Sequence, residues 1–532
     1  MFRRWFFAVA VGALVVVGLL ALLWMPVLWS LLVIGPIVAL GVYDAQQRQH
    51  TILRNFPVLG RLRYVFELVR PEIQQYFIES NIDAYPIERE MRSVVYQRAK
   101  GELETLPFGT QRDVYRVGYE WAAHSLADAA PLEDEPRLLI GEGVCAKPYA
   151  ASRLNISAMS FGALSPTAVR ALNAGARAGG FAHNTGEGGV SCHHLEAGGD
   201  LIWQIGTGYF GCRTSGGGFD EGLFAETAGR ESVRMIEIKL SQGAKPGHGG
   251  ILPAHKVSPE IARIRHVPAH QTVISPPRHS AFTTPIEMME FVALLRERSG
   301  GKPVGVKLCV GRRIELLAMC KAMLETGITP DFITIDGGEG GTGAAPLEFS
   351  NSLGMPARDA WAFAHNALLG AGLRGRVRVL ASGKILTGFH MIRALALGAD
   401  ACNSARGMML ALGCIQALRC NNDTCPTGVT TQNPALYRGL DVPDKAQRVE
   451  RFHRATIESF LEILAAMGVP SPEDISPELI FRRVSDMSVK TFDEIYEFLE
   501  PGALIDDAHL PGVWRREWAL ASAESFSTVA VA

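Results

Sequence analysis

The chain has 532 residues and a formal net charge of −2. That length supports two or three domains and a large buried core. So small a net charge argues against nucleic acid or another polyanion as a partner.

The first element is apolar. From Trp5 to Tyr43 no side chain carries a charge, a run too long for one spanning helix of about 20 residues. Met25-Pro26 divides it, because proline interrupts a helix interior, so residues 1–45 read as a hairpin of two short transmembrane helices. Arg3 and Arg4 precede the run, and Arg48, Arg54, Arg61 and Arg63 follow it. Basic flanks favour the cytoplasmic side, so both ends of the hairpin, and the chain that follows, are expected at the cytoplasmic face of the inner membrane. A cleaved signal peptide would show a shorter apolar region and a small-residue cleavage site before Pro26. A single tilted helix would leave one basic flank outside.

Residues 46–145 follow helical spacing, as in "YVFELVRPEIQQYFIES" and "EREMRSVVYQRAKGE", and predict a helical juxtamembrane region. Between 146 and 435 short apolar runs alternate with helical stretches and glycine bursts. Eight of those runs read as strands: "LNISAMS", "GFAHNTGEGG", "LIWQIGTG", "MIEIKLS", "VGVKLCV", "FITIDGG", "VRVLASG" and "ACNSARG". Each ends in Gly, Ser, Lys or Asn, where the loops of a parallel sheet would begin. This α/β pattern fits a (β/α)8 TIM barrel, whose site lies at the carboxyl ends of its strands. "QTVISPP" is a ninth run, but its double proline argues against a central strand. Residues 436–532 read as C-terminal helices, with the last twenty or so forming a surface tail.

Several motifs carry chemistry. "GTGYFGCR" contains a literal GxGxxG, yet "CRTSGGGFDEG" follows where a dinucleotide-binding fold needs a helix, so that reading fails. "IDGGEGGTGAAP" and "ASGKI" end successive late strands and suit a phosphate held by backbone N–H groups, unless they are plain tight turns. Lys239 and Lys307 end strands in apolar surroundings, so each should meet an anionic ligand or a carboxylate. Glu187 has the same ambiguity. Lys245, Arg265 and Arg278 could clamp a carboxylate or stay solvated. His193 and His194 beside Cys192 lack a further spaced ligand and read as a polar loop. Cys414, Cys420 and Cys425 fall within "GCIQALRCNNDTCPTG". A reducing compartment disfavours a disulfide, and zinc would call for paired C-x-x-C or added histidines. Spacings of six and five with Pro426 after the last cysteine suit an iron–sulfur cluster; chance clustering of buried cysteines is the plain alternative.

Together "SAMSFGALS", "NTGEGG", "IKLSQGAKPGHGG", "HKVSPEIARIRH", "ISPPRH", "DGGEGGTGA" and the cysteine segment resemble the FMN-binding domain of glutamate synthase, over roughly residues 150–435. The resemblance implies an FMN-binding barrel beside a [3Fe–4S] cluster ligated by Cys414, Cys420 and Cys425. It implies reduction of 2-iminoglutarate, formed from 2-oxoglutarate and ammonia, to L-glutamate, with electrons from ferredoxin or an NADPH-oxidising partner. Glu187, Lys245 and Arg265 match substrate positions, and Lys239 and Gln242 lie near the flavin. The rest of the expected cofactor contacts are Ala158, Met159 and Ser160, then Lys307, Gly337 and Gly338, then Gly341, Thr342, Gly383 and Ser404.

Three departures accompany the resemblance. The N-terminal region is too small for the glutaminase domain of the large subunits, so ammonia is expected from outside. The KPGxGG frame carries His248 and Ile251 where the family has Glu and Gln, which points to altered substrate discrimination. No β-helix is expected after the barrel. The alternatives to this oxidoreductase are the same cofactors acting on another 2-oxo acid or amine, and a non-catalytic electron-transfer subunit.

Overall fold

The computed structural model describes residues 2–102, 105–127, 129–506 and 510–527. The chain divides into two compact units, Met1–Arg89 and Glu90–Ala532.

In the first unit, helices Phe2–Ala21 and Leu31–Gln46 flank a 3-10 turn, Met25–Ser30, that opens on Pro26. The break falls where the proline predicts it. Segments Phe2–Ala21 and Met25–Gln46 are each long and apolar enough to cross a membrane. Two further helices follow, Thr51–Asn55 and Gly60–Ile73. Buried Asp44 takes an ion pair from Arg61 at 2.6 Å and the Val58 N–H at 3.1 Å, which folds these helices back on the end of the second apolar one.

The second unit is built on a closed barrel of eight parallel strands. They are β1 Leu154–Ile156, β2 His183–Asn184, β3 Leu201–Ile205, β4 Val233–Lys239, β5 Val304–Leu308, β6 Phe332–Asp336, β7 Arg378–Ser382 and β8 Ala401–Ser404. All eight coincide with the sequence expectation. They pair in chain order, and β8 closes on β1 with Cys402 opposite Leu154 and Ser404 opposite Ile156. Helix starts are written locally. Ser165-Pro166, Ser258-Pro259 and Thr284-Pro285 each put a hydroxyl at the N-cap and proline in the first turn, which satisfies free N–H groups with a ring already set for the helix. The "QTVISPP" run stays outside the barrel: Val273–Ile274 pairs only with Ile251–Leu252.

The segment from Glu90 to the barrel belongs with the second unit. Its partners lie far away in sequence. Glu120–Ala122 pairs antiparallel with Ile480–Ser485, which pairs in turn with Ser488–Thr491. The hairpin Leu138–Ile140 with Tyr149–Ala151 packs against Ala182, Ile202, Met235, Phe332, Leu380 and Ala401 near the amino ends of the strands, plugging the end opposite the expected site. Inside the barrel the Glu237 carboxylate takes hydrogen bonds from Asn184 and Gln204 amides and the Thr334 hydroxyl, at 2.6–2.7 Å.

The expected surface tail lies outside the described residues from 528 on, and its described part is packed. Helix Gly512–Leu520 buries Trp514, which stacks on Phe363 at 5.2 Å, and the Arg313 guanidinium lies against both rings at 4.7 and 4.6 Å. One tryptophan gives a short polar segment enough apolar area to dock.

Two outcomes follow from this packing. Ile140 is fully buried in the plug, so Ile140→Ala should cost about 2–5 kcal/mol through lost contacts and an unfilled cavity, read as a lower urea midpoint. Burial also lowers His183 to a pKa of about 3, and His279, His365 and His453 to about 4. Below pH ~6.5 the unfolded chain takes up protons that these folded rings refuse, so stability present above that pH is lost as pH falls toward 4. His453 is stacked on Phe181 at 3.9 Å and bonded to the Leu154 carbonyl. His453→Gln should flatten the fall by about 1.4 kcal/mol per pH unit across that window, checked by urea titrations at several pH values.

Candidate active site

At the mouth of the barrel one carboxylate collects three cations. Glu187 follows β2, and its Oε1 lies 2.8 Å from Lys239 Nζ at the last residue of β4. The loop after β4 brings in Lys245 and the helix Pro259–Arg265 brings in Arg265, both buried. Burial opposes charge on Glu187, yet Lys239, Arg265 and Lys245 together hold its pKa below the usual carboxylate range. Burial lowers Lys245 against the pull of Glu187, and lowers Arg265 to about 10. Arg265 donates through Nη2 to the Phe161 carbonyl at 2.9 Å and stacks over the Phe210 ring at 4.9 Å. Its Nε is buried without a hydrogen-bond partner. A buried donor left open costs free energy until an acceptor meets it, so the guanidinium is set to receive one.

Glycines let the backbone close around Glu187. A Cβ on Gly206 would stand 2.8 Å from its side chain, and one on Gly250 would stand 2.7 Å from Oε1. Gly186, at φ +64°, has Ser160 N at 2.5 Å from any added Cβ. The GxGxxG segment thus forms the wall of this cleft, and no helix opens until Glu221. Gln242 and His248 line the same cleft with Glu187, Lys239 and Gly250. His248 therefore faces the site, whereas Ile251 lies in the small sheet beyond it. Arg278 is exposed.

Behind Lys239 sits a pair that the motifs contained without marking it. His279 Nε2 lies 2.8 Å from the Lys239 carbonyl, and its Nδ1 lies 3.1 Å from the Tyr209 hydroxyl. That hydroxyl oxygen accepts the Ser280 and Ala281 N–H groups, both at 3.0 Å. With its two acceptor positions filled by N–H groups, Tyr209 donates to Nδ1, which leaves Nε2–H for the carbonyl. The network is complete and neutral, and it fixes the end of β4.

The other expected contacts form a second patch. Lys307 on β5 is directly opposite Lys239 in the strand register, and its Nζ lies 3.4 Å from Asp336 on β6. Both strand-end lysines thus meet a carboxylate, and two buried ammonium groups on neighbouring strands suit an anionic cofactor. Ala158, Met159 and Ser160 follow β1 half-buried. Gly337, Gly338 and Gly383 are buried where the loops after β4, β6 and β7 meet: Gly337 N–H donates to the Ser382 carbonyl at 3.0 Å, and Gly338 carbonyl accepts Ala244 N–H at 3.1 Å. Gly341 and Thr342 are exposed farther along that loop. Ser404 turns its hydroxyl to the Ile385 carbonyl at 2.6 Å. Arg406, absent from the expected set, is held by the Glu339 carbonyl at 3.0 Å beside Gly341.

Cys414, Cys420 and Cys425 share one loop after β8. Gln416, Leu418 and Asp423 adopt left-handed backbone there, so the chain winds tightly. Burial, helped by Cys420 and Cys425 and opposed by the Gln416 N–H, pushes the Cys414 thiol up to about 11. Burial opposes ionisation of Cys425, but Thr427 hydrogen bonding holds its thiol below the usual range. Among the described residues the three sulfurs are not drawn together as ligands of one ion would be; a compact inorganic cluster needs its thiolates spread around it. Buried Lys256 reaches the loop from the segment after β4, donating to the Cys420 carbonyl at 2.9 Å and the Thr430 carbonyl at 3.3 Å. It lies in the quoted "HKVSPE" segment, but nothing local pairs it with a residue 164 positions away.

The model of the conserved region in glutamate synthase matches residues 115–470. The chain is 38% identical to the glutamate synthase large subunit-like protein YerD of Bacillus subtilis, over 86% of this chain and 95% of that one. It is 35% identical to the archaeal glutamate synthase [NADPH] of Methanocaldococcus jannaschii over 60% of each. It matches the glutamate synthase [NADPH] large chain of B. subtilis at 33% over 20% of that protein's length. Among solved structures, a mutant flavocytochrome b2 aligns at a TM-score of 0.41 and 12% identity over 84% of this chain and 91% of that one, too loosely to bear on the site. The chain belongs to the glutamate synthase family, whose members are oxidoreductases acting on CH–NH2 donors.

Proposed function

We propose that the barrel binds FMN and a [3Fe–4S] cluster and reduces 2-iminoglutarate, formed from 2-oxoglutarate and ammonia, to L-glutamate. The observation that carries this is the buried, unpartnered Nε of Arg265 beside a carboxylate ringed by cations. Arg265 and Lys245 supply more positive charge than Glu187 neutralises once Lys239 has paired with it, which suits a dicarboxylate. Glu187 stays ionised and can hold the N–H of a cationic imine between those carboxylates. Lys239 and Lys307, with the strand-end glycines, would hold the flavin, and an ammonium beside it offsets the negative charge of its reduced form. Cys414, Cys420 and Cys425 would hold the cluster. When bound, FMN supplies the hydride, and the cluster passes it electrons from ferredoxin or an NADPH-oxidising partner. The apolar helices would anchor the protein at the inner membrane with the barrel in the cytoplasm, consistent with the basic flanks.

His248 favours a second reading. An imidazole lines the cleft where the family frame carries a carboxylate, so another 2-oxo acid or amine would use the same cofactors. Anaerobic mixing of the reduced protein with ammonium and each of several 2-oxo acids separates the readings: the true substrate reoxidises the flavin fastest. Reoxidation by none would leave an electron-transfer role.

Arg265→Ala should lower kcat/KM about 10- to 150-fold, the worth of one charge-assisted hydrogen bond, with the flavin spectrum retained. Unchanged kcat/KM would remove Arg265 from the substrate site. Lys256→Met should loosen the cysteine loop and lower the iron content of anaerobically purified protein while flavin content holds; full iron loading would show that the loop closes without that tether.

A further inference from the structure

Cys192 and His193 open the one-turn helix Cys192–Leu195 after β2. A third ligand comes from the fold. Glu260, 68 residues on from Cys192, stands in the first turn of Pro259–Arg265, with Oε1 at 3.5 Å from Cys192 Sγ and 3.0 Å from His193 Nε2. The three ligand atoms all lie within 4.8 Å of one another, the one such group among the described residues. His193 Nε2 is buried and, although close to the carboxylate, is not in hydrogen-bonding geometry with it or with any other group. Neighbouring His194 falls outside this group: its Nδ1 takes the Ser191 N–H at 3.1 Å, and its Nε2 is buried without a partner.

We propose that Cys192, His193 and Glu260 form a divalent transition-metal site, suited to zinc and separate from the cysteine loop. Bond lengths of 2.3 Å to sulfur and about 2.0–2.2 Å to nitrogen and oxygen set the edges of a tetrahedral site at about 3.4 Å for N···O and about 3.6 Å for S···O. The observed 3.0 and 3.5 Å are within a few tenths of an ångström of those edges. A sulfur, nitrogen and oxygen donor set selects zinc over magnesium or calcium. Cys192 is exposed, so water can take the fourth position and the ion has a way in. Thiol and imidazole protons, where present, leave to solvent as the metal binds. The ion would tie the helix carrying Arg265 to the segment after β2. Phe161 adds to the tie, since its ring meets His193 at 4.9 Å while its carbonyl accepts from Arg265.

The test uses the full chain purified in detergent, titrated with cobalt(II) and assayed for bound zinc, with circular dichroism as the check on folding. The expected result is one equivalent of zinc and a cobalt–thiolate absorption band. Both should survive Cys420→Ser, and the band should vanish in Cys192→Ser. His193→Gln and Glu260→Gln should each weaken metal affinity at least tenfold while remaining folded. Absence of zinc together with absence of the cobalt band in the parent overturns the site. So does a band that persists in Cys192→Ser, or one lost only in Cys420→Ser, because either would place the metal elsewhere. None of these readouts depends on flavin or turnover.

Discussion

The cluster of charges around Glu187 is the constraint from which the rest of the site follows. A buried ion pair gains little over well-packed apolar groups, but removing one partner strands a charge in low dielectric. Here the imbalance is built in, because Lys239 alone pairs directly with Glu187 while Arg265 and Lys245 face the same carboxylate with charge to spare. The glycines at 186, 206 and 250 are needed because any Cβ there would push against Glu187 or its neighbouring backbone. A cleft with surplus positive charge and an open buried N–H is costly until an anion enters it. Its stability is therefore coupled to what it binds.

One excursion of the chain governs most of this. The segment between β4 and β5 carries Lys245 and Arg265 to Glu187 and sends Lys256 into the cysteine loop. It also places His279 under Lys239 and Glu260 beside Cys192 and His193. A barrel needs only a helix there, and Pro285–Arg298 supplies it; the extra residues before that helix are given over to contacts with the strand ends. Three neighbourhoods of the mouth thus hang on one loop, so displacement of its short helix would be felt at the substrate cleft and at the cysteine loop alike.

The barrel was legible because its signals are local. Apolar runs that end in Lys239 or Lys307, and hydroxyl–proline pairs that start helices, declare themselves within a few residues. The lysines also announced carboxylate partners, since a buried ammonium is rarely alone. What escaped was long-range. Glu120–Ala122 is too short to register as a strand without Ile480–Ser485 beside it, and Glu260 looks like an ordinary first-turn acid until the fold sets it against His193. Tyr209 and His279 lay inside quoted motifs, yet each gains meaning only from the other.

The supports of the site are neutral, and that is what lets it stay cationic. His279 touches the backbone of Lys239, so an imidazolium there would add a charge where positive charge is already in excess. Burial, with a smaller push from the Lys239 charge, holds its pKa near 4 against the opposing pulls of the Lys239 carbonyl and Glu187. Deeper on this strand, Glu237 is two residues before Lys239 and so on the same face. Asn184, Gln204 and Thr334 meet it with neutral donors. Its hydrogen bonding is satisfied within the barrel, so it makes no claim on the cationic donors at the mouth, whose capacity is left for whatever binds above.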